Sequence, residues 1–549
     1  MAENHTLYLD FNSQNEFMTE TIEQPSDLIM PLLRYQKEWL AWALKQLEKS
    51  IARGGNHVDD MGMVKTVQAI ALVLATREIG QAISDSGLLS PTPYILPAVK
   101  GTLVICPVVA VIQWVNEIDR FTTKGSNTIL VYHGANREKN ICRFAEYDFV
   151  ITTYSTVETE YRKNIMILHA MKWNRIILDE AHCVKDICSN TTRAILALES
   201  SYKWALSVTP LQNRVGDLSV SCKLFLTRTT SAKIVIAELW TIAHSSVHIA
   251  TTNLFRHFCW WNRYIASPIQ FQGNHGFGRD AMVLLKHKIL KSIILRGTKK
   301  GRAADLGIPP TIVTLCKDSF DVKEEDYYTS MWDESRAQFN TYIPAGTLMN
   351  NYANIFNLLT RMRQAVDHPY LVECSSTALA KSGRTTNVGY VEQPCGLCHD
   401  PVEDPIRDEI RFMIERDGSA KAIVFSQFTS FFDLIHYSLQ KSGISCVQLD
   451  GSMTINARDS AITRFINDPD CIIFLMSLKA GGLALNHTVA SQVFLMDPWW
   501  NAVVERLAQD RIHRIEQYKP IRIVRFVIQN TIEERILELQ EKKQLLFEG

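Results

Sequence analysis

Two separate series of short apolar segments constrain the fold of this chain most strongly. The first series lies in the N-terminal half and consists of residues 101–107, 149–153 and 175–179. The second lies in the C-terminal part and consists of residues 422–426, 446–449, 471–475, 493–496 and 521–526. Short segments rich in Val, Ile and Leu that alternate with helical patterns are typical of parallel strands buried on both faces. Two such series predict an α/β protein with two parallel-sheet lobes.

The length and composition leave room for two such lobes. Of the 549 residues, 46% are hydrophobic and 21% are charged, which is ordinary for a folded protein and too apolar for a disordered one. The 58 basic and 58 acidic residues cancel, which excludes binding of nucleic acid by bulk charge but not by a local basic surface. The twelve cysteines are mostly isolated, which indicates a reducing compartment. No apolar run reaches the ~18 residues of a membrane span, so we expect no association with a membrane.

A glycine-containing loop precedes an apolar helical pattern at residues 67–74. The loop reads Asp-Asp-Met-Gly-Met-Val-Lys-Thr over residues 59–66. Backbone N–H groups of such a loop bind phosphate oxygens, while its Lys and Thr bind the outer phosphates and Mg²⁺. Gly62, Lys65 and Thr66 are therefore candidate nucleotide-binding residues, with Thr66 a candidate Mg²⁺ ligand. Because Val64 stands where Gly normally precedes the Lys, the pattern alone also fits an ordinary strand-to-helix loop.

Two acids directly follow the apolar segment that ends at Leu178. Carboxylates at the carboxyl end of a parallel strand, near a phosphate-binding loop, are placed to hold Mg²⁺ and an attacking water. Asp179 is therefore a candidate metal ligand, and Glu180 a candidate to orient or deprotonate the water. The alternative is a solvated strand end without catalytic function.

A pair of arginines lies in the C-terminal lobe, within the segment Asp510–Arg514. Arg511 and Arg514 are three residues apart, which predicts that they share one face of a helix. Arginines presented from a second lobe neutralise charge that develops on a transferred γ-phosphoryl group. The alternative is that both are surface arginines of an amphipathic helix.

The motifs in order resemble those of the Swi/Snf-like (Snf-two) ATPases of helicase superfamily two. The segments that carry this resemblance are Leu33-Arg-Tyr-Gln-Lys-Glu-Trp39, Asp179-Glu-Ala-His182, Thr209-Pro-Leu-Gln-Asn-Arg214, Ser477-Leu-Lys-Ala-Gly-Gly482, Asp497-Pro-Trp-Trp-Asn501 and Asp510-Arg-Ile-His-Arg514. Finer features resemble the branch with a RING finger between the lobes, the Rad-sixteen-like nucleotide excision repair translocases. These features are His257-Phe-Cys-Trp-Trp-Asn262, Thr298-Lys-Lys-Gly-Arg302, Asp367-His-Pro-Tyr370 and Cys395-Gly-Leu-Cys-His-Asp-Pro401.

The resemblance implies two RecA-like lobes that hold ATP and Mg²⁺ and couple hydrolysis to movement along duplex DNA. It assigns the nucleotide and metal to Gln36, Gly62, Lys65, Thr66 and Asp179 and catalysis to Glu180, Arg511 and Arg514. It places Ser426, Gln427, Gly481 and Gly482 at the DNA backbone or the cleft between the lobes.

The sequence patterns and the resemblance together divide the chain into five parts. These are a polar N-terminal tail (1–27), the first lobe (28–254), a helical brace (255–373), a RING-finger remnant (374–408) and the second lobe (409–549). Residues 219–255 do not resemble the family, and we assign them no function.

Five residues depart from the family pattern at functional positions: Val64, Val208, Gly297, Leu507 and Glu516. Val64, Val208 and Glu516 each replace a Gly, Leu507 replaces a Gln, and Gly297 stands where the family has Arg. At Val64 a β-branched side chain lies where backbone must approach phosphate. Strain of ~1–3 kcal/mol at this position alone predicts weaker nucleotide binding, and the departures together predict reduced turnover.

The RING finger is predicted to be mostly deleted. A RING binds two zinc ions with four Cys or His ligands each, whereas this region offers Cys395, Cys398 and His399. The next cysteine, Cys446, lies in a predicted strand of the second lobe. Cys395 and Cys398 are retained as candidate zinc ligands, and a ubiquitin ligase, which requires an intact finger, is disfavoured.

A run of seven bases without an acid lies between Ala281 and Ala304 and is the candidate DNA-binding surface. Its members are Lys286, Lys288, Lys291, Arg296, Lys299, Lys300 and Arg302. Such contacts to phosphates position a protein on DNA without reading sequence, and the alternative is a solvated helix face. A second stretch, residues 506–525, has six bases and two acids.

The sequence thus predicts a nuclear, DNA-dependent ATPase of the repair-translocase type. Its implied partners are double-stranded DNA and chromatin or repair-complex proteins. The alternative function is a descendant of such an ATPase that binds DNA or repair partners without efficient hydrolysis.

Overall fold

The chain folds into two compact α/β units, and the division between them falls at Gly307 and Ile308. The structure is a computed structural model, and it describes residues 20–48, 54–60, 62–84, 97–134, 137–184, 189–207, 224, 261–272, 275–299, 301–343, 348–373, 405–451, 453–478, 489–515 and 517–548. Each unit is built around one sheet whose paired strands are all parallel.

The described part of the first unit contains a seven-stranded sheet. Its strands are β1 (Gly54–His57), β2 (Ala98–Cys106), β3 (Ile129–Val131), β4 (Phe149–Thr153), β5 (Lys172–Leu178), β6 (Glu199–Leu206) and β7 (Ile294–Leu295). Their order across the sheet is β3-β4-β2-β5-β6-β1-β7. The main helices are α1 (Arg34–Glu48), α2 (Lys65–Ser84), α3 (Ala110–Phe121), α4 (Tyr154–Arg162) and α5 (Asn190–Ala197), with shorter ones at Ser267–Gln272 and Gly276–Val283. Because the strands are parallel, the carboxyl ends of β1 and β5 lie at the same edge.

The described part of the second unit contains a six-stranded sheet. Its strands are β8 (Thr311–Asp318), β9 (Ala422–Ser426), β10 (Ser445–Leu449), β11 (Cys471–Ser477), β12 (Gln492–Leu495) and β13 (Ile521–Ile528). Their order is β10-β11-β9-β12-β13-β8. The helices are Val322–Tyr342, Tyr352–Asp367, Pro369–Glu373, Pro405–Arg416, Thr429–Lys441, Ile455–Asn467, Ala502–Gln509 and Ile532–Glu548.

The central strand β9 shows why the apolar segments form this architecture. Ile423 and Phe425 pack into the core on one face of the sheet, while Ala422 and Val424 pack into the core on the other. All four side chains are fully buried, as expected for a parallel sheet covered on both faces. Burial of each larger side chain contributes roughly 1.5–3 kcal/mol. The prediction of two parallel-sheet lobes is confirmed.

Two strands occur within residues 255–373, the region predicted to be a helical brace. β7 belongs to the first sheet, where it pairs with β1. β8 belongs to the second sheet and pairs with β13 from Thr311 to Asp318. Ile312 and Val313 of this edge strand are both exposed, so the apolar residues of β8 belong to an exposed strand and not to a buried one.

A buried group of acids in the second unit surrounds one arginine. The guanidinium of Arg363 donates to the carbonyl oxygen of Pro498 (2.7 Å) and lies 3.6 Å from Oδ1 of Asp497. Burial, together with neighbouring carboxylates, raises the pKa of Asp367 well above its usual range. Burial, with the charge of Asp497, likewise raises the pKa of Glu533 to about 8. At neutral pH, Glu533 is therefore protonated in the folded chain.

We expect Glu533→Gln to flatten the pH dependence of stability. Between the pKa of an unfolded Glu, about 4.3, and the folded value of about 8, the unfolded chain has released a proton that the folded chain retains. Stability is therefore present at low pH and is lost as pH rises to about 8, by at most ~1.4 kcal/mol per pH unit. The measurement is the unfolding free energy in urea at pH 5.5 and pH 8. Glu534→Gln, which removes an acid with a lowered pKa, should keep the wild-type slope.

No helix in the described ranges combines the length and apolar character that crossing a lipid bilayer requires.

Candidate active site

The loop predicted to bind phosphate lies at the carboxyl edge of the first sheet. β1 ends at His57 and α2 begins at Lys65, so residues 58–64 connect a strand to a helix and Thr66 lies in the first helical turn. Gly62 has a φ of 88°, which glycine adopts without steric cost. The N-terminus of the 20-residue helix α2 provides N–H groups and the positive end of a helix dipole.

Val64, immediately before α2, adopts a left-handed backbone conformation with a φ of 55°. A β-branched residue is a steric outlier in this region, at a cost of ~1–3 kcal/mol, whereas Gly would adopt it freely. The backbone strain expected from the sequence is therefore present in the loop. Its effect on turnover stays a prediction.

Lys65 lies against the backbone of its own loop. Its Nζ donates to the carbonyl oxygens of Asp59 (2.8 Å) and Asp60 (3.3 Å). From α1, the buried hydroxyl of Tyr35 donates to the carbonyl oxygen of Met63 at 2.8 Å. The loop is thus held from within by Lys65 and from outside by Tyr35.

The predicted acids lie directly beyond β5. Trp114 of α3 donates from Nε1 to Oδ2 of Asp179 at 2.8 Å, and the N–H of Glu180 donates to Oδ1 at 2.9 Å. The hydroxyl of Tyr154 donates to the carbonyl oxygen of Asp179 at 2.7 Å. The carboxylate is oriented at both oxygens, and each oxygen has a further lone pair that can accept from a ligand.

The loop and the acids are electrostatically linked. Burial raises the pKa of Asp179 to about 6, and the charge of Glu180 adds to this effect, while Trp114 and the ammonium of Lys65 oppose it. Only β6 separates β5 from β1 in the sheet, so both groups lie at one edge. A cation bound there would favour the ionised form of Asp179.

Glu180 adopts a left-handed conformation with a φ of 47° and is buried. Its Oε2 lies 3.1 Å from Nδ1 of His182. Non-glycine residues in this conformation concentrate at active sites, where the surrounding structure imposes the strain. The structure therefore places the predicted catalytic acid beside the predicted metal ligand Asp179.

The chemistry of this edge fits a nucleotide with Mg²⁺. It combines a helix N-terminus, the Lys65 ammonium, the Thr66 hydroxyl and an acid, which are the groups that phosphates and Mg²⁺ require. Gln68, also in α2, is fully buried, and its amide has no hydrogen-bond partner among the described residues. Gln36 is fully buried in α1, with its amide oxygen accepting from the N–H of Leu33 at 2.9 Å.

The predicted arginines lie beyond a helix rather than on it. The helix ends at Gln509, so the prediction that Arg511 and Arg514 share a helical face is wrong, and residues 510–515 form turns and bends. Arg511 is fully buried and Arg514 is half-buried. Leu507, a departure from the family pattern, is buried near the end of the helix. All these residues belong to the second unit, and their function toward a phosphoryl group stays a prediction.

The candidate DNA-binding bases do not form one solvated face. Lys291 and Arg296 are exposed and Lys299 is half-buried, whereas Lys286 is buried. Arg302 donates to Oε2 of buried Glu38 at 2.7 Å and is 16% exposed. Of the members whose side chains the structure describes, Lys291 and Arg296 are therefore the best placed to meet a phosphate backbone.

The second basic stretch is largely committed to contacts within its own unit. Ion pairs with N–O distances of 2.7–2.8 Å join Lys519 to Asp417, Arg522 to Glu409 and Arg525 to Glu505. Ser426, expected at DNA or a cleft, is instead buried and donates to Oδ2 of Asp497 at 2.6 Å.

Several predicted residues lie outside the described part of the chain. They are Val208, Lys300, Cys395, Cys398, Gly481, Gly482, Glu516 and the side chain of Lys288. Among the residues that the structure describes, no group of three or more His, Cys, Asp or Glu side chains is arranged to hold a metal ion.

Three residues that hold the site were not singled out from the sequence. Tyr35 fixes the loop, Trp114 orients Asp179, and the side chain of Asp59 accepts from the N–H of Gly297 at 2.7 Å. Tyr35 lies within the motif at 33–39 and Asp59 within the loop motif, but no pattern in the sequence predicts their contacts. For Trp114 the sequence offers only an aromatic residue in an apolar helical pattern.

Comparison with protein families and known proteins assigns the chain to a family. A model described as the SNF2-related domain matches residues 35–371, which is more than half of the chain. A model described as the helicase conserved C-terminal domain matches residues 405–516.

Two sequence relatives agree with this assignment. ATP-dependent helicase rhp16 of Schizosaccharomyces pombe is 38% identical over 95% of this chain and 68% of its own length. DNA repair protein RAD5B of Arabidopsis thaliana is 30% identical over 91% of this chain, which spans 45% of that relative. Among solved structures, the SWI2/SNF2 ATPase core of Sulfolobus solfataricus in complex with dsDNA is 24% identical, covers 96% of this chain and 94% of its own, and has a TM-score of 0.41. On the family models and the relative at 38% identity, this chain belongs to the SNF2-related ATP-dependent helicases.

Proposed function

We propose that the protein is a DNA-dependent ATPase and translocase of the Swi/Snf type that acts in DNA repair, including nucleotide excision repair. The observation that carries the proposal is the shared sheet edge at which Lys65, the first residue of α2, acts electrostatically on Asp179, after β5. Strand, loop, helix and acid in this arrangement are what nucleoside triphosphate hydrolysis requires. The names of rhp16 and RAD5B, a helicase and a repair protein, support the same function.

In the proposed reaction, Lys65 and the N-terminus of α2 bind the phosphates, and Gln36 recognises the base. Thr66 and Asp179 would hold Mg²⁺, which neutralises charge on the phosphate oxygens when it is bound. Glu180 orients the attacking water and accepts its proton as the water oxygen bonds to the γ-phosphorus and the bond from that phosphorus to the leaving ADP oxygen breaks. Arg511 and Arg514 would neutralise the charge that develops on the transferred group.

Double-stranded DNA is the proposed partner. Lys291 and Arg296 are exposed bases of the segment between residues 281 and 304, and contacts from such bases to phosphates would make binding independent of sequence and sensitive to salt. Gly481 and Gly482 remain proposed DNA contacts. We also propose chromatin or repair-complex proteins as partners, and a nuclear location. Both proposals rest, like the repair function, on the names of the relatives.

A second candidate function rests on Val64. Its left-handed backbone strains the loop that must approach phosphate, which favours a DNA-binding or scaffold protein that hydrolyses ATP slowly. A ubiquitin ligase is less favoured, because Cys395 and Cys398 supply only half of one zinc site.

ATP turnover with and without duplex DNA separates the two functions, and Val64→Gly sharpens the comparison. We expect the unmodified chain to hydrolyse ATP faster when DNA is added, and Val64→Gly to increase kcat/KM by about 5- to 150-fold, because relief of ~1–3 kcal/mol of strain corresponds to that range. Met166→Gly is the matched control, since Met166 also has a positive φ (46°) but is exposed and distant in sequence from the loop. A chain without DNA-stimulated turnover that Val64→Gly does not rescue would contradict the ATPase proposal.

A further inference from the structure

The segment that follows β7 continues the pairing of β7 with β1 along the phosphate-binding loop. The N–H of Val58 donates to the carbonyl oxygen of Leu295 at 2.9 Å, and the N–H of Asp60 donates to that of Gly297 at 3.1 Å. Residues 297–299, which we call the loop strap, lie a few residues before Ile308, where the second unit begins in the sequence. The loop strap is therefore both a partner of the loop and part of the chain that leads to the second unit.

The side chains of two loop acids also bind the loop strap. Oδ1 of Asp59 accepts from the N–H of Gly297 at 2.7 Å, and Oδ2 of Asp60 accepts from the N–H of Lys299 at 2.9 Å. Hydrogen bonds to a charged acceptor are stronger than those between neutral groups. Two adjacent carboxylates thus hold two alternate N–H groups of the loop strap.

Asp59 is fixed from the opposite side by a histidine. Its Oδ2 lies 2.6 Å from Nε2 of His57, a fully buried residue whose ring stacks on Trp39 with a centroid separation of 4.5 Å. Burial alone would raise the pKa of Asp59, but His57, Lys65 and the N–H of Gly297 together hold it below its usual value. The carboxylate is therefore ionised where the loop strap contacts it.

Lys65 rests on the backbone of these same two acids. Its Nζ donates to the carbonyl oxygens of Asp59 and Asp60. When Lys65 binds a phosphate, the carbonyl oxygens of Asp59 and Asp60 lose this charged donor. The electrostatic surroundings of the two acids that hold the loop strap then change.

We infer that Asp59 and Asp60 are positioning residues that couple phosphate capture by Lys65 to the conformation of the loop strap. The inference rests on the proposed function, because it describes regulation of the same site. Coupling of this kind is reciprocal. If a change in the conformation of the loop strap alters nucleotide affinity by some factor, bound nucleotide alters the conformational equilibrium of the loop strap by the same factor.

Gly297 provides a test that removes none of the acids. A Cβ at this position would lie 2.7 Å from Oδ1 and 3.2 Å from Cγ of Asp59, so Gly297→Ala must displace the carboxylate. Gly418→Ala is the matched control, since its Cβ would meet only the carbonyl oxygen of Ile414 at 3.9 Å. Asp60→Ala is a second variant, which removes only the side-chain bond to the loop strap.

The first measurement is hydrogen exchange of the amides of residues 58–65 without nucleotide. We expect exchange to become about 10-fold faster in Gly297→Ala and Asp60→Ala and to remain unchanged in Gly418→Ala, with equal melting temperatures for the variants. The second is affinity for a fluorescent ADP analogue with Mg²⁺, which should fall about 10-fold in the two strap variants, within the range typical of coupling between sites.

Unchanged loop exchange in both strap variants overturns the inference, whether or not nucleotide binds. If the loop amides exchange faster in the strap variants but nucleotide affinity stays at the wild-type value, the loop strap is not coupled to nucleotide binding. Absence of nucleotide binding by the unmodified chain contradicts the proposed function and the coupling, whereas the exchange rates still decide whether the acids position the loop.

Discussion

Lys65→Ala is expected to lower DNA-stimulated ATP turnover at least about 100-fold and to weaken nucleotide binding. Lys65 is the first residue of α2, and its ammonium acts on Asp179 and supplies the positive charge that the outer phosphates of ATP require. Loss of one preorganised charge of this kind costs roughly 2.7–4 kcal/mol in the transition state, which corresponds to about 100- to 1000-fold in rate. The measurement is steady-state ATP hydrolysis with saturating duplex DNA.

Lys124→Ala is the control for this experiment, because Lys124 is an exposed lysine of the same unit. It should retain wild-type turnover. Lys65 also donates to the carbonyl oxygens of Asp59 and Asp60, so melting temperatures must be compared to separate a loss of chemistry from a loss of stability. Turnover by Lys65→Ala within a factor of about three of wild type would be incompatible with phosphate binding by this residue.

Apolar strands that are buried on both faces, such as β9 and β11, could be predicted from the sequence, and β1 could not. β9 and β11 are covered on both faces, so nearly every side chain must be apolar. β1 has the sequence Gly-Gly-Asn-His, yet all four residues are buried. It is stabilised as a strand by pairing with β6 and β7, and such long-range pairing leaves no local pattern.

In the candidate site, likewise, the residues with recognisable chemistry could be predicted from the sequence, whereas the distant residues that position them could not. Lys65, Asp179 and Glu180 carry chemistry that a nucleotide needs, and their order along the chain identifies them. What holds them in place is distant in sequence: Trp114 is 65 residues from Asp179, and Gly297 is 238 residues from Asp59. Gly297 departs from the family pattern, and the structure gives it a physical reason, since any Cβ there would press on Asp59. Val64 has no such compensation among the described contacts, because its strain lies in its own backbone.

Glu180→Gln is expected to separate nucleotide binding from hydrolysis. Gln keeps the size of the side chain but cannot accept the proton of the attacking water, and loss of a general base lowers rates by about 100- to 10,000-fold. Nucleotide affinity should remain at the wild-type value or increase, because the phosphate contacts of Lys65 and α2 are unchanged. Stopped hydrolysis with retained binding of a fluorescent ATP analogue is the expected result.

Glu180→Gln should also shift the pH dependence of nucleotide binding. The direction of this shift is one that a general loss of structure would not produce. The charge of Glu180 contributes to raising the pKa of Asp179 to about 6, so its removal lowers that pKa. Ionised Asp179 is the form that holds a divalent cation, and it then persists to lower pH. The midpoint for Mn²⁺-dependent nucleotide binding should therefore move to lower pH in Glu180→Gln. Glu146→Gln, an exposed acid of the same unit, should leave both turnover and midpoint unchanged. A midpoint that stays in place or rises in Glu180→Gln would show that these two carboxylates do not share one electrostatic site.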